Sequence, residues 1–232
     1  IYGNIATCDQ YVTVSDNENP EITCPTNISV SSDPGVCNAD VVVPLPVTSD
    51  NCGVQSVVND YNGTGNASDN YPLGTTTIIW TVTDIYGNIN TCIMTVTVDD
   101  DENPSIICPA DISTTTDPGL CYASGIDLGT PVTSDNCGIA DISNNGSATY
   151  PVGTTTVTWT ITDDTGNTNT CTQLITVEDI EAPTISCPVD LTLPTDPGVC
   201  NASGVALGTP FTGDNCGIAD VSNDGPATFP LG

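Results

Sequence analysis

Carboxylates dominate the reactive side chains of this chain: its 232 residues include 29 Asp and Glu but no Lys, Arg or His, for a formal net charge of -29. Without imidazole or amine groups, the chain cannot use histidine bases, lysine Schiff bases or imidazole-ligated metals. Nucleic-acid binding is excluded as well, because it requires Lys or Arg against phosphates. No apolar run reaches the length of a membrane-spanning helix, so no membrane insertion is expected in this segment.

The acidic residues concentrate in three short junctions, and in the middle one four carboxylates follow one another from Asp99 to Glu102. Such a group repels itself unless a cation lies within it, and calcium favours about six to eight oxygen ligands in irregular geometry. We therefore expect Ca2+ at the junctions, with a solvated linker screened by sodium as the alternative. The candidate metal ligands are Asp16, Glu18, Asp50, Asp84, Asn88, Asp99, Asp100, Asp101, Glu102, Asp135, Asp163, Asn167, Glu178, Asp179 and Glu181.

The 12 cysteines recur with a regular spacing that buried free thiols of a cytosolic protein would not show. Zinc is disfavoured, because C-x2-C pairs and histidines are both missing. The pattern favours disulfides formed in an oxidising, extracellular compartment. The cysteines stand at positions 8, 24, 37, 52, 92, 108, 121, 137, 171, 187, 200 and 216.

These cysteines belong to an internal repeat. The motif Asp-Asn-Cys-Gly occurs at 50–53, 135–138 and 214–217, and the array begins and ends within a repeat. The predicted domains are the last strand of an upstream module (residues 1–18), two full modules (19–101 and 102–180) and a truncated module (181–232).

Within each repeat the apolar residues alternate with hydroxyl-bearing ones. Val157, Trp159 and Ile161 are separated by threonines, and the segments that start at Cys92 and Cys171 keep the same period of two. This period is typical of half-buried β-strands. About seven short strands in roughly 80 residues predict an Ig-like β-sandwich for each repeat.

Several motifs recur together in these repeats: a Cys-Pro opening (Cys24-Pro25), the Asp-Asn-Cys turn, the run 150–156, and the loop 162–167 followed by a Thr-Cys pair. In these features each repeat resembles a hyalin repeat (HYR) module. The resemblance implies an all-β fold of tandem Ig-like or fibronectin-like β-sandwich modules. It also implies adhesive or structural roles on extracellular or cell-surface proteins, and no enzyme activity.

In such a sandwich the first strand starts, and the last strand begins, at the same end of the domain, which predicts Cys24–Cys92 and Cys108–Cys171. A second set is Cys37–Cys52, Cys121–Cys137 and Cys200–Cys216. This set requires the chain to fold back, because a straight strand over residues 39–50 would hold its ends about 35–40 Å apart, beyond disulfide reach. Cys8 and Cys187 have no partner in either set. We expect their partners to lie in the rest of their modules or in a neighbouring copy. For Cys8 the alternative is a disulfide with Cys24.

The same topology brings separate carboxylates to each junction. The turn at Asp50 and the loop from Asp84 to Asn88 should face Asp16 and Glu18. Asp135, Asp163 and Asn167 are the matching contributors for the middle junction, an arrangement similar to the inter-domain calcium sites of cadherins.

We therefore expect an extracellular structural repeat protein that forms a stalk or fibre, with neighbouring copies or repeats of the same chain as partners. The alternative is a surface adhesin that recognises glycans, extracellular matrix or another protein through the loop from Asp60 to Asn70. Candidate glycosylation sites are Asn27, Asn62, Asn66, Asn145 and Asn201.

Overall fold

The structure is a computed structural model that describes residues 2–232; Ile1 lies outside them. The described residues form strands and turns without any helix, and therefore no helix that is long and apolar enough to span a membrane. In chain order the strands are β1 (Glu21–Thr23), β2 (Ile28–Ser31), β3 (Asn38–Val41), β4 (Val47–Ser49), β5 (Val54–Asn59), β6 (Asp69–Pro72), β7 (Gly74–Asp84), β8 (Ile89–Asp99), β9 (Ser105–Ile107), β10 (Ile112–Thr115), β11 (Tyr122–Ser124), β12 (Val132–Ser134), β13 (Ile139–Asn144), β14 (Thr149–Pro151), β15 (Gly153–Asp163), β16 (Thr168–Glu178), β17 (Thr184–Ser186), β18 (Asn201–Ser203), β19 (Phe211–Gly213) and β20 (Thr228–Pro230).

The chain divides into two compact units. The first comprises the chain up to Pro104 together with the loop segments Ser134–Ala140 and Thr162–Thr168. Its strands form a four-stranded sheet in the order β2-β8-β7-β5 and the two-stranded sheets β1-β4 and β3-β6. Strand β2 runs parallel to β8, whereas β5 and β8 are antiparallel to β7.

The core of the first unit lies between its sheets. Ile78 and Trp80 of β7 and Val96 of β8 are fully buried against Val41 of β3 and Tyr71 of β6. Strand β7 alternates buried and exposed positions because successive side chains of a strand point to opposite faces of the sheet. Apart from Ile79, its outward positions between Thr75 and Thr83 carry threonines, so the strand tolerates water on this face.

The second unit comprises Ser105–Thr133, Asp141–Ile161 and the chain from Asn169. Its four-stranded sheet has the order β10-β16-β15-β13, and pairs β11-β14 and β12-β9 repeat the arrangement of the first unit. Val157, Trp159, Ile175 and Val177 are buried in its core. Both units are therefore all-β, Ig-like and stapled by disulfides.

The two ends of the chain differ from the central repeats. We expected residues 1–18 to form the last strand of a module, but the described part of that segment forms no strand, and Tyr2 is 98% exposed. A strand requires hydrogen-bonded neighbours, and none of the strands from β1 to β20 pairs with it. In residues 181–232 only short strand pairs form, and Leu191 and Leu193 are about half exposed, whereas their counterparts Ile28 and Val30 in the first repeat pack against a core that contains residues of β7 and β8.

The two tryptophans have different hydrogen-bond environments. Trp159 Nε1 donates to Oε1 of the fully buried Gln173 (3.1 Å), and Gln173 Nε2 donates to the carbonyls of Ala110 (2.7 Å) and Leu128 (3.2 Å). Met94 takes the corresponding position in the first repeat, and Nε1 of Trp80 is buried without an acceptor. Gln173 therefore connects three segments of the second unit, which Met94 cannot do.

We predict that Gln173→Met lowers the free energy of unfolding by about 2 kcal/mol or more, because it leaves one buried N–H and two carbonyls unpaired. Urea unfolding with the disulfides intact measures this. The matched control is Met94→Leu, which conserves volume and should cost less than about 1.5 kcal/mol. Equal effects of the two substitutions would contradict this role of Gln173.

Candidate metal centres

The first candidate site brings together Asp16, Asp50 and Asp84. Asp16 precedes β1, Asp50 follows β4, and Asp84 ends β7. One carboxylate oxygen from each lies within 4.8 Å of the other two. Three segments that are distant in sequence thus meet at one cluster of negative charge.

The two carboxylate oxygens of Asp50 have different environments. Its Oδ2 accepts hydrogen bonds from the backbone N–H groups of Cys52 and Gly53, both at 2.8 Å. Gly53 has a φ of 114°, which strongly favours glycine and explains the Asp-Asn-Cys-Gly motif. The other oxygen, Oδ1, is buried and has no hydrogen-bond partner among the described residues, and the same holds for Asp16 Oδ2.

Asp84 is fully buried and is held in its charged form. Burial raises its pKa, but hydrogen bonds from the Asn88 amide and from the backbone N–H groups of Asn88, Tyr86 and Gly87 outweigh burial, so that the pKa is lowered. Asn88 Nδ2 also donates to the backbone carbonyl of Asp16 (3.4 Å), which links the loop to the junction.

The thiol of Cys52 lies beside this cluster. Desolvation raises its pKa, and a hydrogen bond with Asp16 and the negative charges of Asp16, Asp50 and Asp84 raise it further. The neighbouring carboxylates therefore disfavour the thiolate.

The second candidate site has the same design and lies within the first unit. Asp100 follows β8, Asp135 follows β12, and Asp163 ends β15; one oxygen from each lies within 4.8 Å of the others. Asp135 Oδ2 accepts from the N–H groups of Cys137 (2.8 Å) and Gly138 (3.0 Å). Its Oδ1 is buried and unpartnered, as in Asp50.

Asp163 is the counterpart of Asp84. Burial raises its pKa, but hydrogen bonds from the side chains of Asn167 and Thr165 and from their backbone N–H groups lower it overall. Asn167 Nδ2 donates to the carbonyl of Asp100 (3.1 Å) and to Asp163 Oδ2 (2.8 Å). Asn88 and Asn167, which the sequence offers as metal ligands, thus donate hydrogen bonds from Nδ2 at their sites.

The remaining candidate ligands lie outside the two clusters. In the middle junction only Asp100 joins a cluster: Asp99 and Asp101 accept hydrogen bonds from Ser29 and Ser31, and Glu102 accepts from the N–H of Gly35. Side-chain hydroxyls and backbone N–H groups satisfy these three carboxylates, which explains why four consecutive acidic residues are tolerated.

The third junction does not assemble a comparable cluster among the described residues. Asp179 Oδ1 accepts from Asn215 Nδ2 (3.2 Å), and Glu181 Oε2 accepts from the N–H of Gly119 (2.9 Å). Glu178 ends β16. Glu18, at the first junction, borders a small cleft with Asp50.

The disulfides follow two patterns. Cys24–Cys92 and Cys108–Cys171 connect the start and the last long strand of one repeat, which are the pairs that the sequence predicts. The second set differs from the prediction: Cys37 is bonded to Cys137 and Cys121 to Cys216, and Cys8, Cys52, Cys187 and Cys200 are free thiols.

The strand pairing explains why Cys37–Cys52, Cys121–Cys137 and Cys200–Cys216 do not form. Strand β3 pairs with β6, whereas β4 pairs with β1, so the chain from Cys37 to Cys52 passes from one small sheet to another. This segment does not fold back on itself to bring Cys52 next to Cys37, and the prolines at 44 and 46 do not reverse the direction of the chain.

Four of the five candidate glycosylation sites lie at the surface. Asn27, Asn62, Asn66 and Asn145 are exposed, whereas Asn201 is half-buried in β18. The amide of Asn62 donates to the carbonyl of Asn66 (3.0 Å), so the loop from Asp60 to Asn70 bonds largely to itself. Glycosylation at these asparagines and recognition by this loop stay predictions.

We expect peptide mapping under non-reducing conditions to recover Cys37 linked to Cys137 and Cys121 linked to Cys216. Pepsin is suitable, since trypsin has no Lys or Arg to cleave. Cys37→Ser should lower the free energy of unfolding by up to about 4–5 kcal/mol, because the loop that the bond closes is long. Recovery of Cys37 linked to Cys52 would contradict the structure.

The lowered pKa values of Asp84 and Asp163 predict acid sensitivity. The stability that they contribute is present above their ordinary pKa of about 3.9 and is lost as the pH falls through the lowered pKa. Asp163→Asn should therefore flatten the fall in melting temperature between about pH 4 and pH 2, at constant ionic strength with chelator. The exposed neighbour variant Asp164→Asn is the control; identical curves for both variants would refute this assignment.

Comparison with known proteins agrees with this architecture. The HYR domain family model matches residues 15–98 and 99–177. Hyalin from Strongylocentrotus purpuratus is 28% identical over 96% of this chain and 19% of its own length, and hyalin from Lytechinus variegatus is 31% identical over 81% of this chain and 36% of its own length. The chain thus spans about a fifth to a third of these relatives.

Among solved structures, human mucin-like protocadherin EC1-2 aligns with 69% of this chain and 98% of its own at 12% identity and a TM-score of 0.36. Protocadherin gamma B7 extracellular cadherin domains 1–4 align with 77% of this chain and 56% of theirs at 14% identity and a TM-score of 0.32.

HYR domains are structural and adhesive repeats rather than enzymes. Together with the disulfides, this relationship assigns the segment to the extracellular space. With two successive matches that cover most of its length, the chain belongs to the HYR domain family.

Proposed function

We propose that this chain is a structural segment of an extracellular stalk or fibre, stiffened by disulfides and by calcium bound at its two carboxylate clusters. The observation that carries the proposal is the convergence of Asp100, Asp135 and Asp163, with one carboxylate oxygen from each within 4.8 Å of the other two, together with the buried and unpartnered Oδ1 of Asp135. The same feature at Asp50 and Asp16 supports a second site of the same kind.

The donor sets of both clusters fit calcium. Calcium is a hard cation that takes oxygen ligands at about 2.3–2.6 Å, so ligand oxygens on opposite sides of one ion are separated by about 4.6–5.2 Å. The separations in both clusters fall within this limit. Asp100, Asp135 and Asp163 would hold the ion at one site, and Asp16, Asp50 and Asp84 at the other.

A bound cation would offset the electrostatic repulsion between the carboxylates of each cluster. Two carboxylates about 4–5 Å apart repel by roughly 3–4 kcal/mol at an effective dielectric constant of about 20. Each cluster contains three such pairs, whereas a single hydrogen bond contributes only about 0.5–1.5 kcal/mol. Because the chain contains no cationic side chain, the compensating charge must come from solvent.

Stiffening follows from where the ligands lie in the chain. Asp100 belongs to the junction after β8, and Asp135 and Asp163 belong to loops of the next repeat. An ion bound to all three would resist separation of the junction from both loops, and Cys37–Cys137 would oppose the same movement covalently.

The partners that this function implies are neighbouring repeats and other copies of the chain. The arrangement of the clusters serves binding of an ion rather than a reaction, and we therefore assign no enzyme activity. Recognition of glycans or matrix by the loop from Asp60 to Asn70 is the adhesin alternative, and it would require a ligand to be demonstrated.

We predict that Asp100→Asn weakens calcium binding at its site by at least about 10-fold, since it removes one of three charged ligands. The matched control is Asp101→Asn, which changes the charge of the same junction equally but alters a carboxylate that lies outside the cluster and accepts from Ser31 Oγ. Calorimetric titration at physiological salt measures both affinities.

Small-angle scattering of the same proteins tests the mechanical part of the proposal. Chelation should reduce the maximum dimension of the unmodified chain and of Asp101→Asn and should lower their melting temperatures, with smaller changes for Asp100→Asn. If the two variants respond alike, or if sodium replaces calcium without loss, the chain is an acidic linker array and the calcium function is wrong.

A further inference from the structure

The disulfide Cys37–Cys137 lies next to the second candidate site, the cluster of Asp100, Asp135 and Asp163. It joins the turn that precedes β3 to the Asp-Asn-Cys-Gly loop that contains Asp135, and its two Cα atoms are 4.8 Å apart. Cys137 is two residues from Asp135, and its backbone N–H donates to Asp135 Oδ2 (2.8 Å). The disulfide therefore restrains the loop that positions one carboxylate of this cluster.

The side chain of Asn136 connects the disulfide with Asp100. Its Nδ2 donates to Asp100 Oδ1 (3.1 Å) and to the carbonyl of Val36 (3.2 Å), and it lies 3.4 Å from Cys137 Sγ. Val36 directly precedes Cys37 in the chain. One amide thus contacts a carboxylate of the cluster, a sulfur of the disulfide and the turn that carries the other sulfur.

Asp100 belongs to a junction that is held by the turn just before the disulfide. Ser32 Oγ donates to Asp100 Oδ1 (3.4 Å), and the N–H of Ser32 donates to the carbonyl of Asp99 (2.8 Å). The N–H of Gly35 donates to both carboxylate oxygens of Glu102 (3.2 and 3.0 Å). The disulfide therefore links the segment that positions Asp100 to the loop that supplies another carboxylate of the cluster.

The third carboxylate, Asp163, is attached to the junction by hydrogen bonds rather than by the disulfide. Asn167 Nδ2 donates to the carbonyl of Asp100 (3.1 Å) and to Asp163 Oδ2 (2.8 Å), and Thr165 Oγ1 donates to Asp100 Oδ2 (3.4 Å). The covalent bond thus acts chiefly on the separation of Asp100 from Asp135.

Calcium binding and the closed disulfide favour the same arrangement of these two residues. Without an ion, repulsion between the carboxylates favours separation of Asp100 from Asp135. The disulfide opposes that separation, so the oxidised chain holds its ligands close together before calcium binds. Such preorganisation raises affinity, because less ordering remains to be done on binding. Once the bond is reduced, calcium must also close the loop onto the junction, which lowers its affinity.

We propose that the Cys37–Cys137 disulfide sets the calcium affinity of this cluster, so that reduction weakens calcium binding and bound calcium protects the bond from reduction. The two effects are reciprocal and equal in size, because both measure the same coupling between the disulfide and the ion. Cys37, Cys137 and Asn136 are thus positioning residues for the ligands Asp100 and Asp135. This inference deepens the proposed calcium function and rests on it.

Reduction requires an external thiol, such as the dithiol dithiothreitol. One of its thiolates attacks a sulfur of Cys37–Cys137 to form a mixed disulfide, and its second thiolate then displaces the protein sulfur. Two electrons and two protons pass to the protein, which gains two thiols, and the dithiol becomes a cyclic disulfide. Both cysteines are half-buried, so the bond is not enclosed in the core.

The first test measures calcium affinity in whole chains that carry Asp50→Asn, which disables the other cluster and leaves one site to titrate. The free thiols are alkylated beforehand. In this background, the double substitution of Cys37→Ser with Cys137→Ser should weaken calcium binding at least about 10-fold by calorimetric titration.

The matched control for this titration is Cys121→Ser with Cys216→Ser. It removes a disulfide of the same design at a junction where no three-carboxylate cluster lies among the described residues. It also removes a covalent link that closes a loop of similar length, 95 residues against 100, so it reports the effect of lost stability alone. Its calcium affinity should change by less than about 2-fold, because the coupling is local to the cluster.

The second test uses the unmodified chain, so its outcome does not depend on how a variant folds. The chain is equilibrated in dithiothreitol redox buffers with saturating calcium or with chelator, and alkylation followed by peptic mapping then measures each disulfide. Calcium should raise the ratio of reduced to oxidised dithiothreitol that half-reduces Cys37–Cys137 by about 10-fold. The ratio for Cys121–Cys216 should stay unchanged.

Three results would overturn the inference. These are equal affinities of the two double variants, reduction of Cys37–Cys137 that calcium does not affect, and equal protection of both disulfides by calcium. All three leave saturable calcium binding by the oxidised chain in place, and with it the proposed function. A lack of saturable binding in the oxidised chain would instead contradict the proposed calcium function, so the two failures are distinguishable.

Discussion

The absence of every cationic side chain is the constraint on which the rest of the structure depends. A buried or crowded carboxylate is normally compensated by Lys, Arg or His, and here only N–H groups, hydroxyls, amides or solvent ions can do so. Most acidic residues near the junctions are satisfied by protein donors, as Glu102 is by Gly35. The exceptions are one buried oxygen each of Asp16, Asp50 and Asp135, residues of the two carboxylate clusters; these oxygens have no hydrogen-bond partner among the described residues.

This constraint explains why disulfides and carboxylate clusters occur side by side. Asn136 donates both to Asp100 Oδ1 (3.1 Å) and to the carbonyl before Cys37, so one side chain connects the carboxylate cluster with the disulfide. A small β-sandwich core provides limited stability, and the cross-links add to it at the junction, where no hydrophobic core is available. The asparagine of the Asp-Asn-Cys-Gly motif is thus a structural link between the two.

Local patterns in the sequence predict the strands and the bonds within a repeat. The alternation of apolar and hydroxyl-bearing residues around Trp159 predicts strand β15, because a period of two is typical of a half-buried strand. Cys171 falls on the same face as the apolar residues of its strand, which predicts that its side chain faces the core. The convergence of Asp100, Asp135 and Asp163 also follows from placing the loops of an Ig-like sandwich at one end. Which of four consecutive acidic residues enters the cluster does not follow, since it depends on Ser29, Ser31 and Gly35, which are distant in sequence.

The second set of disulfides cannot be predicted from the sequence of one repeat alone. Cys37 and Cys52 are close in sequence, but the intervening chain changes sheets, and the partner of Cys37 lies 100 residues away. A signal was available: the asparagine before Cys52, Cys137 and Cys216 recurs with the acidic junctions, which a motif confined to one module would not need. Gln173 illustrates the same limit, because only the fold reveals that it pairs with Trp159.

The most direct measurement of the central claim is the number of calcium ions that the chain retains. Equilibrium dialysis against calcium at physiological ionic strength, followed by elemental analysis, should give saturable binding of two ions per chain, one for each three-carboxylate cluster. Uptake that never saturates, or that disappears when sodium chloride is raised to physiological concentration, would mean that the carboxylates are merely screened and that no ion joins the repeats.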